Sequence, residues 1–302
     1  MTDPPVIQTM RLCKAYGPMK AVKELTLSVG ANRITGFLGR NGAGKSTTIK
    51  MLLGLIKPSA GNGTVLGRRI DDLNESLELR RRVAYVSEDK RLYGYMTVSE
   101  MIRFTSGFYP DWRSDTAKLL LRKYELPPDR KVKSLSKGMR TKLALLLALS
   151  RQPALLILDE PSEGLDPVGV EQLLESLVTQ CGEGATVFFS SHQIEEVERI
   201  ADQVCILDQG RLLIDVSLDD FRESYRKIDL VFPFDPTDLE FGMRGVERVR
   251  TKGRQMRVLS SGNTDEIVAR ARAFDAVEID VASLSLREMF LSTIEEDSSA
   301  LV

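Results

Sequence analysis

The sequence predicts an α/β architecture, an open parallel sheet with a small α/β appendage behind it, and three observations predict it. A short apolar strand, Arg33 to Leu38, runs into the glycine-rich stretch Gly39-Arg40-Asn41-Gly42-Ala43-Gly44-Lys45-Ser46, and a helix stopped by Gly54 follows. A continuous apolar strand, Ala154 to Leu158, ends in two carboxylates, Asp159 and Glu160. A third strand, Ala185 to Ser191, ends at His192, the only histidine of the chain. Uninterrupted apolar strands of this kind belong to parallel sheets buried on both faces, and ligands bind beyond their carboxyl ends.

The glycine stretch matches the pattern of a Gly, four free residues and then Gly-Lys-Ser/Thr. Its glycines let successive backbone N–H groups point at phosphate oxygens, because a Cβ would block both the backbone shape and the close approach. The helix opening at Lys45 directs its positive dipole end to the same point. Lys45 then reaches the β and γ phosphates as a point charge, and the Ser46 hydroxyl is placed to ligate Mg²⁺. The acidic strand tip falls beside this loop. Asp159 is the candidate Mg²⁺ ligand and Glu160 the candidate general base toward water.

Bulk properties narrow the classes. The 302 residues carry 42 basic and 43 acidic side chains, a net charge of −1, so no global charge points to nucleic acid or to an anionic membrane surface. Cys13, Cys181 and Cys205 are scattered without a C-x-x-C spacing and read as reduced thiols of a cytosolic protein. The longest apolar run, Leu143 to Leu149, is far short of the ~20 residues of a membrane helix, and Met1 to Pro5 shows no export signal. The chain is therefore expected in the cytosol unless a partner holds it elsewhere.

In chain order, Val6–Lys14 and Glu24–Val29 alternate as strands, with Tyr16 beside the turn Gly17-Pro18. Lys57 to Gly67 reads as a loop with a short strand at Thr64–Leu66, and Arg80 to Val86 as a strand ending at Ser87-Glu88-Asp89. A helical insert then carries Phe104, Phe108, Tyr109 and Trp112, and these aromatics are expected to form the insert's own core. A second helix spans Lys118 to Tyr124, and Pro127-Pro128 ends it. Ser134 to Arg140 opens a long helix over Thr141–Ser150; Glu163 to Pro167 is a loop, and Val170–Val178 a helix. Asp208-Gln209-Gly210 joins strands 203–207 and 211–214. Beyond Ser224 strands 227–232, 246–252 and 254–259 and a helix over 264–274 are predicted, with a basic cluster from Arg244 to Arg257 read as a solvated strand face.

Taken together and in order, these motifs resemble those of the ATP-binding subunits of ABC transporters over roughly the first 220 residues. Tyr16 falls where that family has its adenine-stacking aromatic, and Gly39 to Thr47 at the Walker A loop. Glu88 stands at the Q-loop, Leu135-Ser136-Lys137-Gly138-Met139 at the signature, Leu155 to Glu160 at Walker B, Gly164-Leu165-Asp166 at the D-loop and His192 at the switch histidine. The ending Val281 to Phe290 is similar to the tail of ABC-2 type exporters. The resemblance implies a P-loop ATPase fold over 1–220, with a helical signature subdomain at about 89–152 and a C-terminal accessory domain at 225–302.

It also implies a function. Two copies would face each other head to tail and clasp ATP and Mg²⁺, the nucleotide contacted by Tyr16, by Gly39, Arg40, Asn41, Gly42, Ala43, Gly44, Lys45, Ser46 and Thr47, and by Ser136 and Gly138 of the opposite subunit. Ser46, Glu88 and Asp159 are the metal-ligand candidates, and Glu160 and His192 the catalytic pair. ATP would close the dimer and hydrolysis reopen it, driving a separate integral membrane permease from the inner face of the membrane, with no nucleic acid expected. Two departures stand out: Glu88 replaces the family's usual glutamine, and Lys137 and Met139 replace a Gly and a Gln of the commonest signature. A soluble ABC ATPase acting on ribosomes or DNA is the alternative, against which stand a single cassette and no coiled-coil heptads. No Asn-Lys-x-Asp supports a GTPase.

Overall fold

The computed structural model of the chain describes residues 4–237 and 239–295, and these divide into two compact units, 1–215 and 216–302. Met1–Asp3 and the last stretch of the expected accessory domain, 296–302, lie outside the described residues. In the first unit β1 (Ile7–Tyr16) and β2 (Met19–Val29) form a hairpin, followed by β3 (Ile34–Leu38), α1 (Lys45–Leu52), β4 (Ala60–Val65), β5 (Arg68–Arg69), α2 (Leu73–Arg82) and β6 (Val83–Val86). The helical insert holds α3 (Val98–Ser106), α4 (Ser114–Lys123) and α5 (Lys137–Leu149). Then come β7 (Leu155–Asp159), α6 (Pro167–Gly182), β8 (Thr186–Ser191), α7 (Ile194–Ile200), β9 (Gln203–Asp208) and β10 (Arg211–Ser217).

These strands make two sheets. One has the order β2-β1-β4-β5; the other, β10-β9-β3-β8-β7-β6, is parallel from β9 through β6. Every residue of β3, β7, β8 and β9 is buried, as the unbroken apolar runs require of strands covered on both faces. The rings of Phe37 on β3 and Phe188 on β8 meet in a tilted pair with centroids 5.2 Å apart, and both are fully buried. Each such ring contributes about 1.5–3 kcal/mol by burial. The parallel order matters for chemistry because it brings the carboxyl ends of β3, β7 and β8 side by side.

Two expectations need correction. Arg80–Arg82 are the last turn of α2, not the start of a strand. Asp72 caps that helix by accepting from the Asn74 and Glu75 amides, and three arginines at the C-terminus suit the helix dipole. The aromatics of the insert are not all its core. Phe104 and Phe108 are exposed, and with Tyr93 they form an edge-to-face series at 5.5 and 5.1 Å on the surface. The insert's buried contacts are Val98 and Met101 of α3 and Ala117 and Leu120 of α4, the residues on the inward stripe of each helix.

The second unit contains α8 (Leu218–Ser224), β11 (Arg226–Val231), β12 (Val246–Lys252), β13 (Gln255–Ser260), α9 (Thr264–Ala273), β14 (Glu278–Ser283) and α10 (Leu286–Glu295). Its sheet is antiparallel throughout, in the order β12-β13-β11-β14. Ile228, Leu230 and Phe232 pack with Met256, Val258, Phe241 and the α9 residues Ile267 and Ala271 in one small core.

Candidate active site

The glycine stretch forms a loop between β3 and α1. Gly42 and Gly44 have φ of 84° and 108°, in the left-handed region that disfavours a side chain. A Cβ at Gly44 would also lie 2.5 Å from the Ala21 carbonyl, and one at Gly39 2.5 Å from that of Leu207. The loop therefore closes against β2 and β9 only as glycine. Its outer side faces a cleft of about 620 Å³, lined among others by Asn41, Lys45, Ser46, Thr47, Glu88 and Glu160.

Lys45, 5% exposed, donates to the Gly39 carbonyl at 2.6 Å and stands 3.0 Å from Oε1 of Glu160. Oε2 of Glu160 lies 2.8 Å from Nδ1 of His192. The carboxylate is thus held between the ammonium of the glycine loop and the imidazole at the end of β8. Its backbone has a φ of 47°, a left-handed conformation for a side chain with a Cβ. Strain of this kind costs about 1–3 kcal/mol and collects where chemistry needs a fixed geometry. Beneath it Ser190 ties two strand ends together, donating to Asp159 Oδ1 at 2.7 Å while accepting from the Glu160 amide at 3.1 Å. Asp159 is 1% exposed.

The structure brings Lys45, Ser46, Glu88, Glu160 and His192 together as the motif order predicts. It does not bring Ser136 or Gly138 into this cleft. Ser136 caps α5 through the Met139 amide, and Gly138 fits against the Gly164 carbonyl, 2.6 Å from where a Cβ would sit. Lys137 lies across Gly164 and pairs with Glu163 at 2.5 Å, which holds the Glu163 carboxyl below the usual carboxylate range. Tyr16 ends β1 at the hairpin turn and is 48% exposed, with Lys14 Nζ 5.1 Å from the centre of its ring.

Sequence reasoning missed three polar anchors. Ser190 carries a signal in hindsight, a hydroxyl two residues before the strand-end histidine. Glu196, 4% exposed on α7, accepts from Ser162 and Ser191 at 3.0 Å each, bridging the loop after Glu160 to the residue before His192. Burial raises its carboxyl above the usual range. Lys90, two residues past Glu88, gives no signal, since a lysine in a charged loop reads as solvated.

A parallel sheet with a glycine cradle, a buried lysine in it and a strand-end glutamate held against that lysine defines a P-loop ATPase. The ABC transporter family model matches residues 22–163. The bacitracin transport ATP-binding protein BcrA of Bacillus licheniformis is 37% identical over 227 residues, covering 74% of this chain and 73% of that protein. The Nod factor export ATP-binding protein I of Neorhizobium galegae is 32% identical over 285 residues, 91% of this chain and 81% of its own. Among solved structures, an ATP-binding subunit of an ABC transporter matches with a TM-score of 0.66 and 32% identity, over 72% of this chain and 92% of that one. The chain belongs to the ABC transporter ATP-binding proteins; it binds and hydrolyses ATP as the ATPase subunit of a transporter. Among the described residues no helix is long and apolar enough to cross a membrane.

Proposed function

We propose that the chain powers export of a small or amphiphilic solute, lipid, peptide or antibiotic through a separate membrane permease, as a dimer on the inner face of the membrane. The single observation that carries the hydrolytic part is the Glu160 carboxylate held between Lys45 and His192 at the mouth of the glycine cradle. Export rests on the relatives named for bacitracin transport and Nod factor export and on the C-terminal unit. Dimerisation is supported by the placement of Ser136 and Gly138, which each chain carries but does not present to its own cleft.

In this reading Lys45 exchanges the Glu160 carboxylate for the β and γ phosphates, and Thr47 and the loop amides from Gly39 to Ser46 complete the cradle. Freed on one side and still held by His192 on the other, Glu160 takes a proton from the attacking water. Asp159, Glu88 and Ser46 fit a phosphate-bound Mg²⁺. Such an ion needs only one or two protein oxygens beside water and phosphate, and among the described residues no group of three or more acidic, histidine or cysteine side chains forms a closed metal cage. When bound, Mg²⁺ neutralises charge on the β and γ phosphates. Tyr16 stacks on adenine, and Ser136 and Gly138 bind the γ phosphate held by the opposite copy.

The test is reconstitution. Purified with its membrane permease and placed in vesicles, the complex is expected to move solute only with ATP. Co-sedimentation with ribosomes and no membrane partner would overturn the reading in favour of the soluble alternative.

A further inference from the structure

Glu160 is gripped through its backbone as well as its side chain, and one of the grips comes from an unexpected place. Its amide donates to Ser190 and its carboxylate meets Lys45 and His192, while its carbonyl accepts from Lys90 Nζ at 3.1 Å. Lys90 is 7% exposed, although it sits in the loop after β6 between Asp89 and Arg91, whose side chains pair with each other in solvent. Burying an ammonium is costly, and here the head reaches a neutral carbonyl. The desolvation holds its pKa below the ordinary lysine value; Glu163 opposes that lowering and Lys137 adds to it.

Two geometric facts give this cost a use. The accepting carbonyl belongs to a residue at φ 47°, so Ser190 and Lys90 hold the two peptides that flank this left-handed residue, one at its amide and the other at its carbonyl. Glu88, two residues earlier in the same loop, lines the phosphate cleft. One loop thus supplies a carboxylate to the cleft and an ammonium to the back of Glu160.

We propose that Lys90 is a positioning residue for hydrolysis: by holding the Glu160 carbonyl it helps keep Glu160 in its left-handed conformation and couples the position of the 87–91 loop to the orientation of the general base. The inference rests on the reading of Glu160 as that base. Withdrawal of the loop takes Lys90 from the carbonyl and lets the peptide relax, so a shift at Glu88 is felt at Glu160 without passing through the nucleotide. Lys90 touches neither the cradle nor the Glu160 carboxylate, so its effect falls on turnover and spares binding.

The experiment compares Lys90→Met, Lys90→Gln and Lys90→Arg in the full chain with the parent and with Glu160→Gln, measuring kcat, KM and the equilibrium Kd for ATP. Misplacing a catalytic group by about 1 Å costs on the order of 10²-fold. Lys90→Met is therefore expected to lower kcat by about 10- to 100-fold, with KM and the Kd for ATP within about twofold of the parent. Lys90→Gln, which keeps a donor without the charge, falls between Met and parent. Lys90→Arg, which keeps both, restores most of the rate. Parental turnover in Lys90→Met, or a fall in ATP affinity that accounts for its lost rate, overturns the proposal. If Lys90→Met does not fold, the Gln and Arg variants decide: Arg no faster than Gln, or both at the parental rate, overturns it. Parental turnover in Glu160→Gln would instead remove the base on which the inference stands, whereas a slow Glu160→Gln beside a fast Lys90→Met sinks the inference alone.

Discussion

The two units solve the same problem, burying a sheet, in opposite ways. In residues 1–215 the strands β3, β7, β8 and β9 are buried along their whole length, and among the polar groups buried with them Asp159, Ser190 and Lys45 converge on the glycine cradle at the carboxyl ends. In residues 216–302 the two faces of the sheet differ: one packs in the small core, and the other is covered in part by α10, which takes contacts from Lys227 and Arg250. β11 and the first half of β13 alternate, with Ile228, Leu230, Met256 and Val258 inward and Asp229 and Arg257 outward, while Leu259 and Ser260 are buried as well. The lesson is about where polar residues can reside at low cost. Inside a sheet covered on both faces polar side chains lie near strand ends and find partners there, as Asp159 does in Ser190 and Thr35 in Gln203; on the less buried face of the second sheet they pair across strands, as Arg257 does with Asp229.

That contrast is sharpened first by removing a strand-end group. Glu160→Gln keeps the shape of the site and removes the base, and turnover is expected to fall by about 10²–10⁴-fold with ATP binding retained. Single-turnover hydrolysis alongside equilibrium titration checks it, and a rate near the parent's would take Glu160 out of the role. Substituting Phe188 tests the packing side of the same comparison. The ring is fully buried against Phe37, so Phe188→Ala is expected to cost about 3–5 kcal/mol. Denaturant unfolding should show the loss in the transition of the first unit, with that of the second unmoved; a shared shift would mean that the units do not unfold separately.

Much of the first unit is legible in the sequence for the same reason. Long apolar strands that end in Asp159-Glu160 or in His192 mark both the sheet and the edge where its ligands bind, and the glycine pattern locates the cradle between them. What escaped was contact at a distance in sequence. Lys90 and Glu196 are ordinary charged residues until the fold carries one to the Glu160 carbonyl and the other to Ser162 and Ser191. Helices α2 and α7 escaped because Arg80–Arg82 look like the flank of a strand and because the strand-end histidine draws attention from the short helix behind it. In the second unit β11, β12 and β13 were legible, whereas β14 and the helices α8 and α10 were not, and neither was the strand pairing, since register depends on which edge each strand finds.

The ion pair between α10 and the second sheet gives the next test, in acid. Glu288 on α10 is held by Lys227 Nζ at 2.7 Å and by the Ser285 amide and hydroxyl. The bond from Lys227 is the main cause that takes its carboxyl down to about 2 from an ordinary 4.5. A depressed folded-state pKa stabilises the fold above the unfolded value, and the gain is lost as pH falls from about 4.5 through about 2. The carboxylate is 41% exposed, so solvent screening keeps the gain to about 1 kcal/mol or less. Glu288→Gln should therefore lower stability at neutral pH and flatten the acid limb of the second unit between those values. An acid limb as steep as the parent's would place the titrating group elsewhere.

The smallest effect is expected to have the opposite sign. Strand register sets Arg250, Arg257, Asp229 and Asp280 in one row across β12, β13, β11 and β14. Arg257 and Asp229 satisfy each other through two hydrogen bonds, from Nε to Oδ1 at 2.6 Å and from a terminal nitrogen to Oδ2 at 3.2 Å. Asp280 then faces Asp229 as a like charge directly across the strand pair, an arrangement that destabilises a sheet by about 0.2–1 kcal/mol. Asp280→Asn removes the repulsion and keeps the size of the side chain, so the second unit is expected to gain stability of that order. The gain should shrink as salt is added, because Asp280 is exposed and Asp229 half-buried, and such charges are screened over about 10 Å at 0.1 M. A variant less stable than the parent at low salt would mean that Asp280 draws more from the arginine end of the row than it loses to Asp229, and that the row acts as one network.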